Sequence, residues 1–94
     1  LLPKKVLDGS HTFMIFPVQH SERNNLLRYM IINNSDVAAQ HLKNCAELDI
    51  FSEYKRDCPN ASKTSKTIFL LPTYPKYTNS EIKKNINVIR RYFA

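Results

Sequence analysis

The sequence predicts a mixed α/β (α+β) fold: a small sheet of about three strands flanked by helices. Three observations predict it. Two short apolar runs, Phe13-Met14-Ile15-Phe16 and Ile68-Phe69-Leu70-Leu71, are each closed by a proline, as strands of limited length would be. Segments with helical periodicity, 22–33 and 78–93, alternate with them. The chain has 94 residues, 43% apolar side chains and a formal charge of +6. That length suits a single domain, residues 1–94, which buries roughly 60–65% of the surface its unfolded chain exposes.

In chain order, residues 1–10 carry Pro3, Asp8, Gly9 and Ser10 and are expected to be extended, ending in a turn. Residues 11–18 are expected to form a strand covered on both faces, with Pro17 limiting it to an edge or an end. Ser21 is placed to cap a helix over 22–33 whose Leu26, Leu27, Met30 and Ile31 share one face. Asn33-Asn34 suits a left-handed exit, since asparagine tolerates positive φ.

Residues 37–42 read as a weak second strand, and 43–57 as a loop pinned by Leu48, Ile50, Phe51 and Tyr54. Pro59 opens a helix to about residue 66, where its missing N–H loses no partner. Residues 67–71 form the third strand, stopped by Pro72. The stretch 72–77, with Pro72 and Pro75 three apart, is a rigid aromatic loop. The last helix has the strongest local signal: Thr78 and Glu81 make a capping box, and Tyr77 staples onto Ile82. Its Ile82, Ile86, Ile89 and Phe93 are expected to dock on the sheet, leaving Lys83, Lys84, Asn87, Arg90 and Arg91 in water.

The composition argues against an autonomous enzyme. There is one glycine, no Gly-rich phosphate loop and no nucleophile-elbow or zinc-protease motif. His41, Cys45 and Cys58 lack the paired short spacing and the fourth ligand of structural zinc, and both cysteines read as reduced thiols. No apolar run approaches the roughly 18 residues of a membrane span, so no membrane is expected as a partner. Nucleic acid is a rival partner class through Lys83, Lys84, Arg90 and Arg91 with Tyr74 and Tyr77. No nucleic-acid-binding motif accompanies those charges, so a basic interaction module without catalytic activity is the alternative and not the leading reading. Leu1-Leu2-Pro3-Lys4-Lys5, with no initiator Met and no signal-peptide pattern, reads as a cut end.

Two stretches go further: His41-Leu42-Lys43-Asn44-Cys45-Ala46-Glu47-Leu48, and Cys58-Pro59-Asn60-Ala61 followed by Leu70-Leu71-Pro72-Thr73-Tyr74-Pro75-Lys76-Tyr77-Thr78. Together they resemble the C-terminal domain of the DegT family, the pyridoxal-phosphate-dependent sugar aminotransferases. The final third carries the resemblance; the first strand and helix match as pattern.

The resemblance implies the small domain of a fold-type I enzyme, cytoplasmic and homodimeric, whose large N-terminal domain lies outside this chain. It implies transfer of an amino group from an amino-acid donor to a nucleotide-activated keto sugar, for polysaccharide biosynthesis. It implies pyridoxal phosphate in the full-length enzyme and none held by this fragment, because the Schiff-base lysine belongs to the large domain and is none of the nine lysines here. The positions it points to for substrate are His41, Lys43, Asn44, Tyr74 and Tyr77, with Gln40-His41-Leu42 standing where the family usually has an aromatic pair.

Overall fold

The computed structural model describes Leu2, residues 8–10 and residues 14–94. Strand β1 (Phe16–Gln19) leads to helix α1 (Arg23–Ile32), then to an irregular stretch holding two short 3₁₀ segments, Cys45–Glu47 and Asp49–Tyr54. Helix α2 (Pro59–Thr67), strand β2 (Ile68–Leu71) and helix α3 (Asn79–Phe93) complete the chain. The fold is mixed α/β, as the two apolar runs and the helical segments predict.

The sheet is smaller than expected. Among the described residues, β1 and β2 pair antiparallel from Phe16 opposite Leu71 to Gln19 opposite Ile68. The expected strand over 37–42 reduces to a single bridge, in which Ala38 and Leu70 exchange N–H···O bonds of 3.2 and 2.8 Å. Alanine offers little side-chain surface to hold a strand on a sheet, and the Gln40 side chain accepts the neighbouring Ala39 N–H, which ends the pairing. Leu70 therefore directs both backbone groups at Ala38. That makes Pro17, which faces Leu70 from β1, the member of a non-hydrogen-bonded pair, and its missing N–H costs no ladder bond.

The first strand is also shorter than residues 11–18. Met14 and Ile15 lie outside it and are exposed, because β2 ends at Leu71 and Pro72 brings no N–H to a ladder; beyond it the Thr73 hydroxyl donates to the Met14 carbonyl at 2.8 Å. Residues 11–13 lie outside the described part, as does Pro3. The turn expected near residue 10 forms: the Asp8 carboxylate accepts the Ser10 N–H and hydroxyl at 2.9 and 2.6 Å, with Gly9 at φ 78°.

Helix α1 begins without Ser21 as its cap. Glu22 occupies the cap position and makes no side-chain cap bond, while its own N–H is taken by His20 Nδ1 at 3.0 Å. Leu26 and Met30 are sealed, Leu27 is half-buried, and Ile31 stands in water, so the buried stripe is narrower than the sequence suggests. The exit is the expected left-handed one, at Asn34 with φ 56°. Helix α2 starts at Pro59 and α3 carries the complete capping box of Thr78 and Glu81, both as predicted.

The core is a wedge of Leu26 and Met30 from α1, Phe69 from β2 and Val88 from α3. Val18 and Leu71 pack against it from the sheet, and Val37 and Ala39 from the bridged segment. An aromatic cluster closes the end of α3 over α1: Tyr92 lies 5.3 Å from Tyr29, and Phe93 lies 5.1 Å from His20. The docking face of α3 is rotated from the expected one. Asn85 and Val88 are buried with Ile89 and Tyr92 half-buried, whereas Ile82, Ile86 and Phe93 are exposed. Of the four anchors expected for the irregular stretch, Leu48 is half-buried, whereas Ile50, Phe51 and Tyr54 are exposed, Ile50 by 82% and Tyr54 by 75%.

Candidate functional site

The strongest candidate is a groove of about 550 Å³ between α1, residues 37–48 and the end of α2. Helix α1 supplies Arg23, Asn24, Leu27 and Ile31; the irregular stretch supplies Gln40, Leu42, Lys43, Asn44 and Glu47; α2 supplies Ser65 and Lys66. One wall is set by Arg23. Its guanidinium donates to the Ser65 carbonyl and, at 3.2 Å, to the Ile68 carbonyl. The last carbonyls of α2 have no partner within their own helix, and a cation there also meets the negative end of the helix dipole. Arg23 thus fastens α2 to α1, and the groove lies beside that joint.

The floor turns on Asn44. Its Oδ1 accepts the Ala46 N–H at 3.2 Å and caps the first 3₁₀ segment. Its Nδ2 is shielded from water and lacks a partner of good hydrogen-bond geometry, although it lies near enough to the Glu47 carboxylate to favour the ionised form. The Ser62 hydroxyl is the larger reason that Glu47 is held below the usual carboxylate range, with Lys66 and Lys55 adding charge attraction. Lys43 and Lys66 are exposed. With Asn44 Nδ2 sealed, the groove presents the ammonium groups of Lys43 and Lys66 and the exposed Gln40 amide with one carboxylate, Glu47, a set suited to holding hydroxyls and phosphates. It contains no pairing of nucleophile and base.

Of the five residues singled out in the sequence, Lys43 and Asn44 meet in this groove. His41 is exposed beside it, in a turn closed by the Leu42 N–H on the Ala39 carbonyl, and is not part of the lining. Tyr74 and Tyr77 form their own pair, ring centroids 5.1 Å apart and 69° between planes, joined by a Tyr77 N–H to Tyr74 carbonyl bond of 2.9 Å. Tyr74 lines a smaller groove of about 210 Å³ that shares Val37 with the first. Tyr77 instead turns toward α3, where its hydroxyl accepts from Asn85 Nδ2 at 2.6 Å. Burial pushes both phenols above their ordinary value, for Tyr77 against the opposing pull of the Asn85 bond. Both remain protonated and neutral near pH 7.

Arg23, Gln40, Glu47 and Lys66 belong to the groove without having been singled out. Arg23 is separated from Ser65 by 42 residues, and nothing local in the sequence joins them.

Pyridoxal phosphate, which the resemblance implies for the whole enzyme, does not fit the described residues. A Schiff-base lysine needs a pocket that desolvates its amine, and Lys43, Lys55, Lys63, Lys66, Lys76, Lys83 and Lys84 are all exposed. Cys45 is an exposed free thiol and Cys58 a half-buried one, and no cluster of three or more His, Cys, Asp or Glu suited to a metal occurs among the described residues. No described helix is long and apolar enough to cross a membrane. No protein-family model and no curated protein matches the chain. The DegT resemblance thus stands on the quoted motifs.

Proposed function

We propose that this chain is the C-terminal small domain of a pyridoxal-phosphate-dependent aminotransferase that aminates a nucleotide-activated keto sugar. In this reading it supplies one wall of the substrate cleft and moves with domain closure. A large N-terminal domain supplies the Schiff-base lysine and the phosphate site, and the cytoplasmic parent enzyme is a homodimer. The observation that carries the reading is the meeting of Lys43 and Asn44, from the motif stretch that follows the Ala38 bridge, with Lys66 in one donor-rich groove. An ammonium is a point charge for a phosphate, and the exposed Gln40 amide in the same lining is a donor for a hydroxyl, while Asn44, its own Nδ2 sealed from water, caps the turn that follows Lys43. The exposed Tyr74, across Val37, extends the same surface with an aromatic face and a neutral phenol.

The test uses the parent enzyme. Lys43→Glu is expected to raise KM for the nucleotide sugar at least tenfold and to leave the amino-donor half-reaction and the cofactor absorbance unchanged, because only binding of the second substrate is touched. His41→Ala is expected to have a smaller effect in the same direction, since His41 stands beside the groove. Equal loss of both half-reactions in Lys43→Glu would remove the groove from the cleft. A parent chain lacking a cofactor-binding lysine would overturn the reading itself.

A further inference from the structure

A second groove, of about 440 Å³, runs along the exposed side of α3. Ile82, Ile86 and Ile89 form one wall, and Phe16, Leu71 and Tyr77 stand opposite. Ile82 and Ile86 are 41% and 42% exposed, an unusual state for isoleucines placed at i, i+4 and i+7 of a well-capped helix. This spacing makes a ridge about 10 Å long, the length over which a second helix of two to three turns packs. The groove does not end in neutral surface. Arg90 lines both it and an adjoining basic strip that includes Lys83, Asn87 and Arg91.

Helix α3 itself carries Lys83, Lys84, Arg90 and Arg91 against Glu81 alone. Glu81 itself is occupied by the Thr78 N–H and hydroxyl at 2.8 and 2.9 Å. A second copy of this chain seated in the groove would bring Arg90 and Lys83 against the same cations, which the charge disfavours. A concave apolar slot with a basic lip is complementary to an apolar ridge with acidic flanks.

We propose that the α3 groove docks an amphipathic helix of a partner protein, with apolar residues at i, i+4 and i+7 and carboxylates along the edge that meets Lys83 and Arg90. The inference is independent of the enzymatic reading. Apolar insertion supplies the contact, and the charged edge sets orientation and the rate of encounter.

The 94-residue chain is titrated by NMR with an 18-residue helical peptide carrying leucines at i, i+4 and i+7 and glutamates on one flank. A twin peptide with lysines in place of the glutamates, and phosphatidylserine-containing vesicles, are the comparisons. The expected result is saturable shifts at Ile82, Ile86 and Tyr77, with binding of the glutamate peptide at least tenfold tighter than that of its twin and weakened by salt. Ile86→Glu is expected to abolish the shifts while the chain remains folded, and the doubly reversed Lys83→Glu, Arg90→Glu chain to prefer the lysine peptide. The proposal is overturned if neither peptide binds, if both bind equally, or if only vesicles do. It is also overturned if sedimentation shows a dimer that Ile86→Glu dissolves, or if the free chain shows contacts from residues 3–7 to Ile86.

Discussion

The wedge of α1, β2 and α3 and the stretch Asp49–Tyr54 are both rich in large apolar side chains, yet they treat them in opposite ways. In the wedge, Met30 and Phe69 are completely sealed and Val88 is 1% exposed. In the stretch, Ile50, Phe51 and Tyr54 all face water. The difference lies in period. A helix of 3.6 residues per turn or a strand of period 2 brings distant apolar residues onto one surface, where a partner surface can cover them together. Short 3₁₀ turns, broken here at Phe51, do not sustain such a surface over enough residues to bury it. Hydrophobicity selects which residues gain from burial, and periodicity decides which of them obtain it.

This contrast is open to direct attack. Val88→Asp places an unpaired carboxylate in the wedge and should cost several kcal/mol, comparable to the whole stability of a domain of this size. The same change at Ile50 should stay within about 0.5 kcal/mol. Chemical denaturation followed by far-UV circular dichroism reads both, and an Ile50→Asp chain that unfolds would dissolve the distinction. Asn85→Ala tests the polar member of the buried face. It strips the Tyr77 hydroxyl of its donor and should cost about 1–3 kcal/mol, with the Tyr77 phenol titrating still higher because the Asn85 bond opposes its rise. Residue-resolved NMR titration of Tyr77, one of five tyrosines, checks the second part.

Thr78→Ala should cost about 1 kcal/mol by removing one half of the capping box. The other half depends on pH. The Thr78 N–H, and then its hydroxyl, hold the Glu81 carboxyl below its ordinary 4.5, so its stabilisation is present above that value and is lost as pH falls through the lowered folded value. Melting temperatures at pH 6 and pH 3 should therefore differ less in Glu81→Gln than in the unaltered chain. A small effect is expected at the outer face of the same helix: Ile86→Glu should cost about 1 kcal/mol or less, because Ile86 is already 42% exposed. A loss as large as that of Val88→Asp would mean that the two faces of α3 are not distinct after all.

What the sequence reveals of this fold follows from the range over which each signal acts. Pro59 at the start of α2, Pro72 after β2 and the Thr78–Glu81 box are local devices whose physics is complete within four residues, and each stands where it was expected. The docking face of α3 is a different matter. Its most apolar stripe is Ile82, Ile86, Ile89 and Phe93, but the stripe that meets the core runs through Asn85, Val88 and Tyr92. Asn85 is affordable there because Tyr77 accepts its amide, a pairing invisible to periodicity. The bridge at Ala38 is likewise decided by what β2 can offer, and not by the residues 37–42 themselves. The candidate groove repeats the lesson. Lys43 and Asn44 are neighbours in sequence and were legible as a pair, whereas Arg23 and Lys66 come together through the Arg23 guanidinium on the Ser65 carbonyl.

Pro17 has one further consequence, for the accuracy with which the two strands find each other. Opposite Leu70 it loses nothing, because the bonding groups of Leu70 point the other way. Moved by a single residue in either direction, it would face Phe69 or Leu71, whose carbonyls then look for a donor that proline does not have. The same slip would also turn Val18 away from the wedge it packs against. A four-residue ladder has few bonds with which to tell right alignment from wrong, and an imino acid at its second position penalises the nearest errors twice over.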